Sequence, residues 1–295
     1  METWVALAVA AAGAQSLRFA LQKVLSSDGL GPIASTWARF LWSAPQVAVL
    51  LAVWLWATGQ SLPATGPTFW GWAILGGASQ IFATICVVAL FGTRAFAIGI
   101  TFKKTEVLLT ALAGFLILGD RLSPLATAAI CLGFLGVVLL SRRPDGAAFD
   151  TRAVALGLGS GVFFALSAVG YRGATLAMEV DDTLLRAGAS LLLVTTGQAA
   201  ALWLWLMLRD PAQVRLTLRA WRRGLLTGLT SLIGSWCWFA AFSLANAALV
   251  FAVGQVELIF SLAIGAWWFR ERVTPRELWG MAVLTASILG VVALA

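Results

Sequence analysis

Residues 103–124 read KKTEVLLTALAGFLILGDRLSP, and residues 254–275 read GQVELIFSLAIGAWWFRERVTP. Laid over one another at a constant offset, Glu106 falls on Glu257, Asp120-Arg121 on Glu271-Arg272, and Pro124 on Pro275. Each copy is a long apolar run with one carboxylate inside it, closed by an acidic-Arg turn before a proline. Further back, Ala38-Arg39-Phe40 answers Arg186-Ala187-Gly188, and Arg18 answers Arg172. The chain therefore repeats itself once, and an internal repeat constrains the fold more than any single residue does.

Apolar runs of this kind recur along the whole sequence. A bilayer core takes about 20 helical residues, and on that ruler spans are expected near 3–25, 33–57, 68–90, 96–118, 123–141, 153–176, 183–208, 222–243, 246–269 and 275–294. Lipid offers no partner for open backbone groups, so these runs are expected to be helices. Five spans per half is odd, so the second half would enter the membrane the other way up. The expected fold is an all-α polytopic membrane protein, with ten transmembrane helices in two five-helix inverted-topology repeats. The units are residues 1–141 and 153–295, joined by a basic connection at 142–152.

Composition agrees with a membrane chain and excludes other classes. Of 295 residues, 60% are hydrophobic and only 11% charged, against about 25% charged in soluble domains; mean hydropathy is +0.91. The basic excess, 20 Lys and Arg against 13 Asp and Glu, forms no tract interleaved with stacking aromatics, so no nucleic acid partner is expected. Histidine is absent, which removes the commonest metal ligand and near-neutral proton acceptor. Cys86, Cys131 and Cys237 lie far apart in apolar runs, without the spacing of a metal or redox pair. No metal and no cofactor are expected, although coupling to protons remains open. The Gly157–Gly161 run lacks the strand context of a nucleotide loop, and no nucleophile–base pair emerges, which argues against an enzyme. The chain begins Met1-Glu2-Thr3-Trp4 without a positive region, so the first run reads as a retained helix rather than a cleaved signal. Gly133, Gly136, Gly224 and Gly228 read as helix-packing positions.

Loop arginines set an expected orientation. Arg94; Arg142, Arg143 and Arg152; Arg209, Arg215, Arg219, Arg222 and Arg223; and Arg270, Arg272 and Arg276 fall in alternate connections. With ten spans that places the basic connections inside and both termini outside.

Charge within apolar runs costs a few kcal/mol per residue at helix centre and marks candidate sites. The candidates are Lys103, Lys104, Glu106 and Glu257. Repeat symmetry brings the two glutamates to equivalent places on a central cavity, and two readings stand side by side. Glu106 bonds Lys103 at i,i+3 and holds helices together, or the carboxylates handle substrate or a coupled ion. Lys103 and Lys104 point about 100° apart on a helix, so one is expected on the cavity. Gln255 stands where the first repeat has Lys104. Arg39 and Arg18, with Arg186 and Arg172, either brace helix ends or attract an anion. Trp236, Trp238 and Phe239, with Tyr171, are candidate walls of an amphipathic pocket. Gln15, Gln22, Gln80, Gln198 and Asn246 are donors and acceptors within the bundle, as apt to be interhelical glue.

Taken together, these motifs resemble the EamA-type carriers of the drug/metabolite transporter superfamily. The resemblance covers two tandem units and is most specific where Glu106 leads to Asp120-Arg121-Leu122-Ser123-Pro124, and Glu257 to Glu271-Arg272-Val273-Thr274-Pro275. Arg39 and Arg186 match an arginine common early in the second span of each unit. The chain departs from the family at Glu106-Val107 and Glu257-Leu258, where a Glu-Pro pair is common, so a proline kink is missing. The resemblance implies an alternating-access carrier in a bacterial cytoplasmic (inner) membrane that exports amino acids or related zwitterionic or amphiphilic metabolites, often with proton exchange; a monomer or weak dimer is expected. It also implies both termini inside, against the arginine count. A lipid or amphiphile flippase and a passive channel are the alternatives.

Overall fold

The computed structural model describes residues 2–91, 103–141, 151–268 and 275–294. Arg94, Arg142, Arg143, Arg270, Glu271, Arg272 and Thr274, which carry part of the orientation and repeat readings, lie outside the described residues. The helices are α1 (Thr3–Ser27), α2 (Pro32–Thr58), α3 (Pro67–Leu90), α4 (Glu106–Ala113), α5 (Pro124–Ser141), α6 (Thr151–Leu176), α7 (Thr183–Arg209), α8 (Pro211–Arg219), α9 (Trp221–Leu244), α10 (Ala247–Gly254), α11 (Glu257–Trp268) and α12 (Pro275–Leu294). A π-helical turn, Gly114–Leu118, extends α4. Proline opens α2, α3, α5, α8 and α12, where its missing N–H would be unpaired anyway and its fixed φ suits a helix. Gly119 ends the π turn at φ +71°, a left-handed conformation that favours glycine. It delivers Asp120 into the bundle.

Among the described residues six helices, α1, α2, α3, α6, α7 and α9, are long and apolar enough to cross a bilayer. This overturns the expected ten transmembrane helices in two five-helix inverted repeats. Among the described residues the other apolar stretches are shorter: Glu106–Leu118, Pro124–Leu135 within α5, Ala247–Ser261, and Leu278–Gly290 within α12. For the expected fourth and ninth spans the reason is visible. Helix is interrupted at Lys104-Thr105 and at Gln255-Val256, and a running hydropathy average does not register a two-residue break. The breaks need no proline: Leu258 N–H donates to Gln255 O at 2.9 Å and Ile259 N–H to Val256 O at 2.9 Å, tighter three-residue turns in place of α-helical bonds.

The long helices pair across the middle of the chain in reversed order: α1 packs chiefly on α9, α3 on α6, and α2 on α7, with α2 packing as closely on α9. Close approach depends on glycine. A Cβ on Gly170 would lie 2.6 Å from Gly76 Cα, so the α6 and α3 backbones touch there; at Gly228 it would lie 2.6 Å from the Trp42 backbone. The packing role read for Gly224 and Gly228 thus has a partner, Trp42. The apolar core runs through the bundle from Trp4 and Val47 to Phe239 and Val250. Val49, Ile74, Leu204 and Leu226 face outward, as lipid-facing positions should.

Candidate functional site

Both helix interruptions deliver charge to the same place. Glu106 and Glu257 are the first residues of α4 and α11, where the partial positive charge of a helix N-terminus favours a carboxylate. Lys104 Nζ lies 2.7 Å from Glu257 Oε2 and 3.8 Å from Glu106 Oε1. Lys103 Nζ lies 3.2 Å from Glu106 Oε1 and 3.5 Å from Glu257 Oε2. All four side chains are buried. The two lysines therefore share one task, contrary to the expectation from 100° helical spacing. The chain leaves regular helix at Lys104, so that spacing does not apply.

A polar chain continues from the cluster along α1. Gln15 Nε2 donates to Glu257 Oε2 at 3.2 Å, and its oxygen accepts from Arg18 Nη2 at 3.2 Å. Arg18 Nη1 donates to Gln22 Oε1 at 2.9 Å, and Gln22 Nε2 to the Ser35 carbonyl at 3.3 Å. Ser16 Oγ donates to the Glu257 carbonyl at 3.1 Å. Lys103 also stands 4.9 Å from the centre of the Phe164 ring, a cation–π distance.

Beside the cluster is a central cavity bounded by Glu106, Gln15, Arg39, Gln80, Ser167, Tyr171, Thr195, Gln198 and Ser235, with Phe164, Trp238, Phe239, Phe242 and Phe251 as its apolar wall. Its empty space is about 480 Å³ counting the open mouth, but the interior between the side chains admits only a few waters. Arg39 Nε donates to Ser231 Oγ at 2.9 Å, Nη1 to Thr84 Oγ1 at 3.0 Å, and Nη2 to Ser235 Oγ at 3.2 Å. Gln80, with its amide nitrogen 2.7 Å from Ser167 Oγ, turns its oxygen to Arg39 Nη1 and Nη2 at 3.1 and 3.2 Å. Gln198 Nε2 donates to the Tyr171 hydroxyl at 3.2 Å and to the Gly77 carbonyl at 2.9 Å.

Of the residues singled out in the sequence, Glu106, Arg39, Tyr171, Trp238 and Phe239 meet on this cavity, together with Gln15, Gln80 and Gln198. Glu257, Lys103 and Lys104 sit behind Glu106 in the ion cluster. Gln255 lies apart, lining a small separate space with Lys104, and its Oε1 has no partner among the described residues. Trp236 is elsewhere: its Nε1 donates to the Leu184 carbonyl at 3.0 Å, and its ring fills the notch over Gly188. One residue separates it from Trp238, and on a helix that difference turns a side chain to another neighbour. Ser167, Thr195, Ser235, Phe242 and Phe251 were not legible as site residues, since isolated hydroxyls and phenylalanines are ordinary in apolar helices. Among the described residues no group of His, Cys, Asp or Glu is disposed to hold a metal.

Arg172 and Arg186, counterparts of Arg18 and Arg39 by position, take other roles. Arg186 Nε donates to the Val180 carbonyl at 2.9 Å. Arg172 forms an ion pair with Asp120 at 3.0 Å, donates to the carbonyls of Phe242 and Ala245 at 2.8 and 2.7 Å, and to Asn246 Oδ1 at 3.1 Å. It ties the turn after Gly119 to the end of α9, immediately beyond the cavity's Phe242.

A solved crystal structure shares the fold with a TM-score of 0.72 at 16% identity, over 99% of this chain and 96% of that one. No curated protein matches the sequence significantly. Its long apolar helices make the chain a polytopic helical membrane protein, and residues 151–293 match the model of the EamA-like transporter family, whose members are transporters and not enzymes.

Proposed function

We propose that the protein is a secondary transporter that moves a small metabolite of the amino acid type across a bacterial cytoplasmic membrane by alternating access, exporting it in exchange for protons. The observation that carries this reading is the placing of Glu106 and Arg39 on one cavity with an aromatic wall, inside a bundle of membrane-crossing helices. A carboxylate and a guanidinium meet the two charges of a zwitterion, and aromatic faces take its apolar body. Interrupted helices at the depth of the site are the usual way for a carrier to bring backbone and charge into a membrane interior. Glu106 is the coupling group in this reading, because it faces the cavity whereas Glu257 is held by three side chains.

The test is counterflow in proteoliposomes with a panel of amino acids under an imposed pH gradient. Wild type accumulates substrate against its gradient, while Glu106→Gln exchanges substrate but no longer responds to the gradient. Unchanged gradient-driven accumulation in Glu106→Gln removes the coupling role.

A second reading has its own observation. An apolar groove between α3 and α7, lined by Trp70, Ile74, Ile81, Leu193 and Val194, reaches Gln198, which also lines the central cavity. Gln198 thus borders both the lipid-facing groove and the polar interior, an adjacency that a flippase for an amphiphile would use. Fluorescent-lipid translocation in the same vesicles separates the two readings.

A further inference from the structure

The interior is electrostatically unbalanced. Among the described residues, Arg18, Arg39, Lys103 and Lys104 are buried in and around the site, against the carboxylates of Glu106 and Glu257. The lysines are matched to the two glutamates. Arg39 is not: every bond it makes goes to a neutral oxygen, of Ser231, Thr84, Ser235 or Gln80, and no carboxylate among the described residues pairs with it. Neutral acceptors satisfy its N–H groups but leave its charge uncompensated, and a buried charge without a counter-ion is costly. Arg18 adds a second cation, whose hydrogen bonds among the described residues go to glutamine oxygens and whose guanidinium lies 4.2 Å from the centre of the Phe19 ring. A second, independent sign lies in the same cavity wall. The indole N–H of Trp238 is buried and has no acceptor among the described residues, although such donors are nearly always paired.

We propose that Arg39, with Ser235 and the Trp238 N–H, forms an oxyanion subsite that takes the carboxylate of the transported metabolite, and that the buried lysines have no part in recognising it. A guanidinium presents two parallel donors to a carboxylate, so the incoming group takes over bonds that Arg39 now makes to neutral oxygens and supplies the missing negative charge. Trp238 stacks on Phe242 with ring centres 5.7 Å apart, and this pair covers the apolar remainder. The site accepts solutes carrying a carboxylate, whether zwitterionic or net anionic, and rejects purely cationic ones. The inference rests on the transporter reading for its substrate, but not for its chemistry.

Leucine, isocaproate and isoamylamine share one apolar body and differ in charged groups, which makes them suitable probes. Binding to purified protein in detergent is measured by calorimetry, and uptake in proteoliposomes. Leucine and isocaproate are expected to bind wild type and isoamylamine not. Arg39→Gln should weaken both carboxylates by about tenfold or more, Arg39→Lys by less, and Trp238→Phe, which keeps the ring and removes the N–H, by about threefold. Lys103→Met, if it folds, should leave the preference for acid over amine intact. The melting curve of each variant separates lost binding from lost fold. Binding of isoamylamine as tight as that of isocaproate, carboxylate affinity unchanged in Arg39→Gln, or no binding of either carboxylate at millimolar concentration overturns the subsite. Carboxylates that bind as expected while no solute crosses the vesicle uphold the subsite and overturn the transporter reading instead.

Discussion

Lys104 and Glu257 make the shortest contact of the buried ion cluster, 2.7 Å, and their value is asymmetric. A matched buried pair adds little over well-packed apolar residues, but removing one partner strands the other's charge. Lys104→Met leaves Glu257 with Lys103 at 3.5 Å and the Gln15 amide at 3.2 Å, and should cost about 3–5 kcal/mol. The double variant Lys104→Met/Glu257→Gln should recover most of that. Denaturant unfolding in detergent measures both, and a double variant as unstable as the single would show that charge compensation is not what Lys104 provides. At this scale the sequence was informative about residue type and poor about contact. Intramembrane charge marked Lys103, Lys104, Glu106 and Glu257 without help, because it is rare and costly wherever it occurs. That both lysines reach both glutamates follows only from the break at Lys104, and no local rule of spacing announced it.

Among the elements, α7 shows how a helix begins outside the apolar region. Its N-cap is Asp182, whose Oδ1 accepts from the Leu184 and Leu185 N–H groups at 2.9 and 3.1 Å; Trp54 and Gln60 donate to Oδ2, each at 3.3 Å. Partial burial pushes the Asp182 carboxyl up, but the bonds from Leu185, Leu184, Gln60 and Trp54 outweigh it and hold the group below the ordinary carboxylate value. A folded-state pKa below the unfolded one contributes stability that is present above the unfolded pKa and lost as pH falls through the folded one. Asp182→Ala should therefore cost about 1 kcal/mol near neutral pH, and the difference from wild type should shrink on acidification below the ordinary aspartate range. Thermal melts of both proteins from neutral to acid pH check it. A penalty that does not change with pH would remove the carboxylate from the explanation. An acidic residue before the α7 run was visible in the sequence as part of Glu179, Asp181 and Asp182; which of the three caps the helix depends on where the first turn forms.

For the whole molecule, the contact at Arg172 is decisive. It joins Asp120, the Phe242 and Ala245 carbonyls and Asn246, and it lies at the end of α9 opposite the one where Arg223 pairs with Asp28. A cavity this narrow must open for a metabolite to enter, and the Arg172 contacts oppose opening at their end. Asp120→Asn should weaken them and shift the population towards states open on that side. With Cys86, Cys131 and Cys237 replaced by serine and Ala168→Cys placed on the cavity, reaction with a membrane-impermeant maleimide should speed up about fivefold when Asp120→Asn is added. An unchanged rate would mean that the ion pair does not restrain that end.

The sequence by itself determined that this is a helical membrane chain with a repeated, charged midsection, because about 20 apolar residues in succession have few other stable fates and because the Glu106 and Glu257 copies align without gaps. It overcounted the spans, at the fourth and ninth because hydropathy sums side chains and is blind to a backbone that stops being helical for two residues. Only the tertiary structure decided which polar groups meet. Arg39, Glu106, Tyr171 and Trp238 come from four separate helices, and Gly76 against Gly170 brings α3 and α6 into backbone contact. That convergence is a property of how the helices pair, in reversed order across the chain. Pairing depends on the shapes of whole helix faces, which no single stretch of sequence contains.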